Sequence, residues 1–270
     1  MNMALDALFV AVLRWGVVGA AAATAISQFV GGVIPLVYFL FPNDSLLRLG
    51  KTKFNFGHLA KASGNGASEF VVNMSLSLVN MVYNYQLMRF VGKAGVAAYG
   101  TFMYESFIFV AIFIGFTAGS APLVSYNYGA KRTDELKSLF KKSLVVIFVS
   151  SLVMALLGVS LAYPLSAVFV GYDAELYALT SHAIFVASFS FLLCGLGIFA
   201  SGFFTALGDG LTSAIVSFLR TFVFQVASVL VLPVFWGAEG VWLALVCSEI
   251  FSACASVVAL LLKRKKYQYV

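Results

Sequence analysis

The strongest chemical signal in the chain comes from five residues of one helix-like segment. Glu69, Asn73, Ser77, Asn80 and Asn84 interrupt the apolar stretch 66–90, and at about 100° per residue they fall within an arc of roughly 80° on a helical wheel. A carboxyl followed by amides and a hydroxyl on one face can hold a proton or small cation and hydrogen-bond a polar ligand beside it. Facing hydrocarbon, such a stripe would cost several kcal/mol, so it must face other helices or a watered cavity. The plain alternative is hydrogen bonding between helices, at roughly 0.6 kcal/mol per bond. A carboxylate at the head of so long a stripe favours the cavity.

Three further ionisable residues, Glu105, Arg220 and Glu249, fall deep within apolar segments, about 13 to 17 Å from their ends by the helical rise. Each requires a partner or water. Arg220 could neutralise Glu249, Glu105 or Asp6, and a structural ion pair among Arg220, Glu249 and Asp6 is expected. Glu105, beside Tyr104 and near Thr101, is either a protonated acid bonded to its neighbours or part of a cavity lining. With 27 Phe and 12 Tyr residues, a few rings are available to stack on flat cationic ligands.

Other chemistry finds no footing. His58 and His182 are far apart, with no metal-ligand spacing, and no nucleophile motif accompanies them, so an enzyme is not expected. Cys194, Cys247 and Cys254 all lie in apolar segments and read as packed thiols, not as a disulfide framework. No metal is implied beyond a Na+ at Glu69, and no cofactor.

These residues must be positioned by membrane helices. Apolar residues make up 61% of the chain and charged residues 10%, against roughly 45–50% and about 25% in a soluble domain. The predicted class is an all-α integral membrane protein. Segments 17–41, 66–90, 94–126, 143–170, 176–207, 211–235 and 238–262 are each long enough to span. An eighth piece, 1–13, reaches only about 20 Å and reads as the end of a helix whose beginning is missing. It carries Asp6 and no basic residue before Arg14, unlike a signal peptide.

A phrase that occurs twice organises these spans. Trp15-Gly16-x-x-Gly19 recurs as Trp236-Gly237-x-x-Gly240, the mark of an internal repeat of the kind from which many transporters are built. Six long segments lie between the copies. The expected architecture is therefore about eight transmembrane helices: one complete six-helix lobe plus the tail of a second, pseudo-symmetric lobe. The division is 1–42 for the last two helices of the first lobe, 43–64 for a cytoplasmic linker, 65–262 for the complete lobe and 263–270 for a basic tail. On this reading the chain lacks an N-terminal lobe that a longer protein would supply, and would not transport alone.

The net charge of +6 reflects basic residues beside the spans, not a nucleic-acid surface. Arg48, Lys51, Lys53, Lys61, Lys131, Arg132, Lys137, Lys141, Lys142 and Lys263 to Lys266 would all lie on one side, which predicts cytoplasmic termini. Phe54, Phe56 and Leu59 suggest a short helix on the inner surface, and Thr133 is placed to cap a helix that opens with Asp134 and Glu135. Pro35, Pro122, Pro164 and Pro233 predict bends, which occur in moving and static bundles alike.

The run 115–131, GFTAGSAPLVSYNYGAK, resembles the second helix and following loop of a lobe in the multidrug and toxic compound extrusion (MATE) transporters. Asn2-Met-Ala-Leu-Asp6 with Trp15-Gly-x-x-Gly19-Ala is similar to that family's fifth and sixth helices, and Ala206-Leu-Gly-Asp-Gly210 with Arg220 to the same stage of its second lobe. Glu69, in Gly66-Ala-Ser-Glu-Phe70, resembles the seventh-helix acid that takes part in cation coupling in some branches. An acid found in the tenth helix of some branches has no counterpart, since 176–207 holds no Asp or Glu.

The resemblance implies a multi-pass protein of the inner cell membrane that exports organic, often cationic compounds by antiport with H+ or Na+. Glu69, Asn73, Ser77, Asn80, Asn84 and Glu105 would bind substrate and cation. A lipid-linked oligosaccharide flippase of the same superfamily would share the helix count but should have a strongly basic cavity. A membrane receptor or structural protein is the reading from a different class, and the intramembrane Glu and Asn stripe argues against it.

Overall fold

A computed structural model describes residues 1–41 and 55–269, with side chains throughout except at 58 and 60–72. The described residues contain helices and no strand: α1 (Asn2–Asp6, continuing as a π-helix over Ala7–Val12), α2 (Gly16–Leu40), α3 (Phe56–Phe90), α4 (Lys93–Gly129), α5 (Thr133–Val170), α6 (Ala174–Ser188), α7 (Phe191–Ala206), α8 (Gly210–Phe218, continuing as a π-helix over Leu219–Val223) and α9 (Phe224–Tyr267). They form two compact units, Met1–Leu59 and Ala60–Val270.

Four of these helical stretches are long and apolar enough to cross a membrane: Gly16–Leu40, Lys93–Gly129, Thr133–Val170 and Gly210–Tyr267. The pair Ala174–Ser188 and Phe191–Ala206, bent by 48°, makes up to five. That is fewer than the seven long spans read from the sequence. One physical reason is that the 58-residue stretch Gly210–Tyr267 is not straight. Gly237, at φ 57° and ψ −132°, leaves the helical region. A Cβ on Gly240 would stand 2.5 Å from the Leu232 carbonyl oxygen, whereas residues eight apart in a straight helix are separated by about 12 Å. The chain therefore folds back there into two arms.

Three other expectations are modified. The segment 176–207 is not one helix but breaks at Phe189 and Ser190, where the amides turn back to Val186 and Ala187 carbonyls at 3.3 and 2.9 Å. α3 already begins at Phe56, inside the expected 43–64 linker, of which residues 43–54 lie outside the described residues. Thr133 does not cap α5: it is the first helical residue, Arg132 occupies the cap with no side-chain bond, and the turn is made by Lys131 at φ 57°.

In the larger unit α7 is central, packing against α4, α5, α8 and α9. Its Phe191, Phe199, Phe203 and Phe204 join Tyr83, Phe113 and Trp242 in a fully enclosed aromatic core. One end of this unit gathers the C-terminus of α4, the N-terminus of α5, the α7–α8 junction and the C-terminus of α9, through Tyr128, Asp209 and Tyr267. Most of the unit's basic residues lie at that end.

Candidate functional site: the outward face of α3

α3 is held by one face, which decides what the other presents. Ser75, Val79, Tyr83, Gln86 and Leu87 are buried. The Tyr83 ring stacks on Tyr99 of α4 at 5.3 Å with 2° between planes, and Gln86 Nε2 donates to the Val229 carbonyl at 3.2 Å. Such a fixed rotation leaves Asn73, Ser77 and Asn84 exposed and Asn80 half-buried. The four described members of the stripe thus share the open face. Ser77 Oγ donates to the Asn73 carbonyl at 3.2 Å, and Asn80 Oδ1 accepts from Tyr99 Oη at 3.1 Å, which orients its amide. The side chain of Glu69 lies outside the described residues; its backbone is helical and four residues before Asn73.

Beside the amides runs a second feature that the sequence reading missed. Met74, Met81 and Met88 recur every seven residues and are 48%, 71% and 51% exposed. Their heptad spacing was the available signal, hidden because Met is counted with the apolar residues. Methionine's unbranched, polarizable side chain re-packs around different shapes and suits a promiscuous binding surface. Tyr85, on the same side, is exposed as well. The open face of α3 therefore offers amides that orient a ligand and thioethers that conform to it.

Glu105 is not part of this face. It lies inside the unit, 4% exposed, and neither carboxyl oxygen has a hydrogen-bond partner among the described residues. It sits where α4, α5 and α6 meet: a Cβ on Gly158 would be 3.1 Å from Glu105 Oε1 and 2.6 Å from Ser188 Oγ.

Arg220 and Glu249 come together. Arg220 donates through Nε to Glu249 Oε2 at 3.2 Å and through Nη2 to Oε1 at 2.9 Å, a forked geometry that single-point cations cannot reproduce. Arg220 stands on the π-helical turn Leu219–Val223, whose extra residue per turn re-aims side chains. Gly197 makes room, because a Cβ there would stand 2.7 Å from Arg220 Cδ. Asp6 belongs to the smaller unit.

A hydroxyl cluster joins α7 to α8 and was also missed. Ser201 Oγ lies 2.5 Å from Ser217 Oγ and 3.0 Å from Ser213 Oγ, and Thr205 Oγ1 lies 2.7 Å from Ser213 Oγ. Its signal was the i, i+4 spacing of Ser201 with Thr205 and of Ser213 with Ser217. At the end opposite the basic residues, His182 Nε2 meets a Glu239 carboxylate oxygen at 2.9 Å, with both side chains about half exposed. Among the described residues no cluster of His, Cys, Asp and Glu could hold a metal ion.

Comparison with known proteins places this arrangement. The multidrug export protein MepA of Staphylococcus saprophyticus is 27% identical over 275 residues, covering 97% of this chain and 58% of that protein. The chain thus spans little more than half the length of the curated relatives it matches. Among solved structures, an outward-facing multidrug resistance MATE family transporter of the MOP superfamily aligns with a TM-score of 0.83 at 21% identity, covering 98% of this chain and 59% of that one. An inward-facing structure of such a transporter aligns at 0.80, also with 21% identity, covering 98% and 61%. At that identity the likeness establishes the fold. A sequence profile of the MatE family matches residues 70–231, from the residue after Glu69 to the first arm of α9. That match covers more than half of the chain, which therefore belongs to the MatE family.

Proposed function

We propose that the chain works in cation-coupled antiport, exporting organic, often cationic compounds by alternating access, and that the open face of α3 is a wall of the substrate cavity. The observation that carries this reading is the pairing on one exposed helix face of Asn73, Ser77, Asn80 and Asn84 with Met74, Met81 and Met88. Polar groups in a hydrocarbon band require water or protein against them, and adaptable thioethers beside them suit ligands of varied shape. The MepA relatives are multidrug export proteins, consistent with this face.

Glu69, at the head of the stripe, is the proposed site for H+ or Na+. The enclosed carboxyl of Glu105, with no hydrogen-bond partner among the described residues, is a second proton-carrying candidate within the larger unit. The bilayer is that of the cell membrane, and the gathered basic ends face the cytoplasm. Pairing of Arg220 with Glu249 neutralises the basic side chain deepest in a span, which favours organic cations over the pyrophosphate of a lipid-linked sugar.

The test is a flux measurement. In vesicles containing the chain together with a first lobe, an ethidium gradient should drive counter-movement of H+ or Na+, and Glu69→Gln should abolish it while leaving protein in the membrane. Ethidium movement that is indifferent to both ions, and to Glu69→Gln, would refute the coupling.

A further inference from the structure

Four consecutive cations end α9, and the fold divides them into two pairs. Lys263 and Lys266 reach Asp209 Oδ2 at 3.4 and 3.9 Å. Asp209 also accepts from Tyr267 Oη at 2.7 Å and caps α8 by accepting from the Thr212 amide at 3.2 Å. Burial raises the Asp209 carboxyl, but hydrogen bonds from Tyr267, Thr212 and Lys263 hold it well below the usual carboxylate range. It is therefore a permanent anion that occupies this pair.

Arg264 and Lys265 are left over. They line a cavity of about 400 Å³ together with Gln268 and with Thr133 and Lys137 of α5. Among the described residues no carboxylate lies within ion-pair distance of Lys137, Arg264 or Lys265. Asp134 and Glu135, in the same turn of α5 as Thr133, do not line it. Three unpartnered cations thus converge on one concavity from two helices.

The cavity is held, not improvised by a loose tail. Tyr267 and Tyr269 are buried on either side of Gln268, which reverses the chain at φ 54°. The Tyr269 ring packs against Phe140 of α5 at 4.8 Å and Phe203 of α7 at 5.1 Å, and its hydroxyl donates to the Leu260 carbonyl at 2.5 Å. Arg264 and Lys265 are thereby fixed opposite Thr133 and Lys137.

Below the cations lies an apolar track. Val258, Leu261, Leu262 and Lys265 are spaced i, i+3, i+4 and i+7, one face of a helix. All three apolar members are exposed, Leu262 at 75%. A cationic pocket above an open aliphatic stripe matches a phosphate group with an acyl chain attached better than a free anion.

We propose that this cavity binds the phosphate headgroup of an anionic phospholipid, held by Lys137, Arg264 and Lys265, with an acyl chain lying along Val258, Leu261 and Leu262. The proposal rests on the chain being a membrane protein and is independent of its transport direction, coupling ion and substrate. The lipid would clasp the start of α5 to the end of α9.

The test uses the delipidated 270-residue chain in detergent, with bound lipid counted by native mass spectrometry. No gradient is involved, so the outcome stands apart from the flux measurement. Phosphatidylglycerol should bind in preference to phosphatidylcholine. The triple variant Lys137→Gln, Arg264→Gln, Lys265→Gln should lose at least about tenfold in phosphatidylglycerol affinity, while a control with the same charge loss, Lys131→Gln, Lys141→Gln, Lys142→Gln, changes it less than about twofold. Leu262→Asn, which removes no charge, should weaken phosphatidylglycerol binding several-fold and serves should the triple variant fail to fold. Equal losses in the triple variant and the control would reduce the site to diffuse charge and overturn the proposal. Inorganic phosphate binding as tightly as phosphatidylglycerol, with Leu262→Asn silent, would reassign the cavity to a soluble anion and overturn it too.

Discussion

The two Trp-Gly-x-x-Gly turns, one in each compact unit, share a left-handed glycine and differ in their surroundings. Gly16 and Gly237 both adopt φ 57°, open to glycine and strained for other residues. Three residues on, Gly19 and Gly240 press against the preceding arm: a Cβ would stand 3.0 Å from the Phe9 carbonyl oxygen in one and 2.5 Å from the Leu232 carbonyl oxygen in the other. Ala23 and Ala244, four residues further, are both fully buried. The turn is thus a local device, a glycine to reverse the chain and small residues at i and i+4 to seat the arms.

Beyond it the units diverge. In α2 only Gly19 and Ala23 are buried, whereas the corresponding arm of α9 also buries Val241, Trp242, Leu245, Ser248, Glu249 and Ser252. Ser27-Gln28 stands where the larger unit has Ser248-Glu249. The larger unit has taken the same hairpin and tied a charged side chain into its interior, opposite Arg220. Local sequence sets the hairpin, and neighbours set what it can carry.

The largest expected effect would break the comparison at this charge. Glu249→Gln leaves Arg220 buried with half a partner and should lower stability by about 3–5 kcal/mol, read as the thermal unfolding midpoint in detergent. Gln28→Ala, at the corresponding exposed position of the smaller unit, should stay within about 0.5 kcal/mol. Next come the seats. Gly240→Ala forces a backbone shift and should cost about 1–3 kcal/mol, with Gly19→Ala smaller because its clearance is greater; the reverse order would show that clearance against the preceding arm does not set the tolerance.

A smaller effect sharpens the account of the basic end. The Asp209 carboxyl is depressed in the folded state, so its contribution is fully present above the unfolded value of about 4 and is lost as pH falls through the folded one. Hydrogen exchange of residues 263–269 should therefore show the same protection from pH 5 to 9, after correction for intrinsic rates, and weaker protection in Asp209→Asn. Smallest of all, Glu239→Gln removes a half-exposed contact with His182 and should cost about 1 kcal/mol or less.

What could be read in the sequence follows the same division. The turns were legible because a positive φ and a close approach each require glycine at a fixed spacing. The all-helical class and the α3 stripe were legible from composition and period. Glu249 was among the partners expected for Arg220, but which of them it takes was not legible, because the pairing spans 29 residues and depends on a π-helical turn and on the space at Gly197. Nor was the break between α6 and α7, where Phe189 and Ser190 carry no glycine or proline signal. The methionine ladder was in plain sight but shared its hydropathy with the lipid-facing residues around it.

The central claim is that the open face of α3 looks into water and takes organic cations. In a cysteine-free background, single cysteines at Asn84 and Met81 of α3 and at Phe148 of α5, 71% exposed, can be timed against a water-soluble methanethiosulfonate, with and without ethidium. The account predicts rapid labelling at Asn84 and Met81 that ethidium slows, and slow, ethidium-independent labelling at Phe148. Equal, slow labelling at all three positions would place the α3 face against lipid or sealed protein and contradict the account.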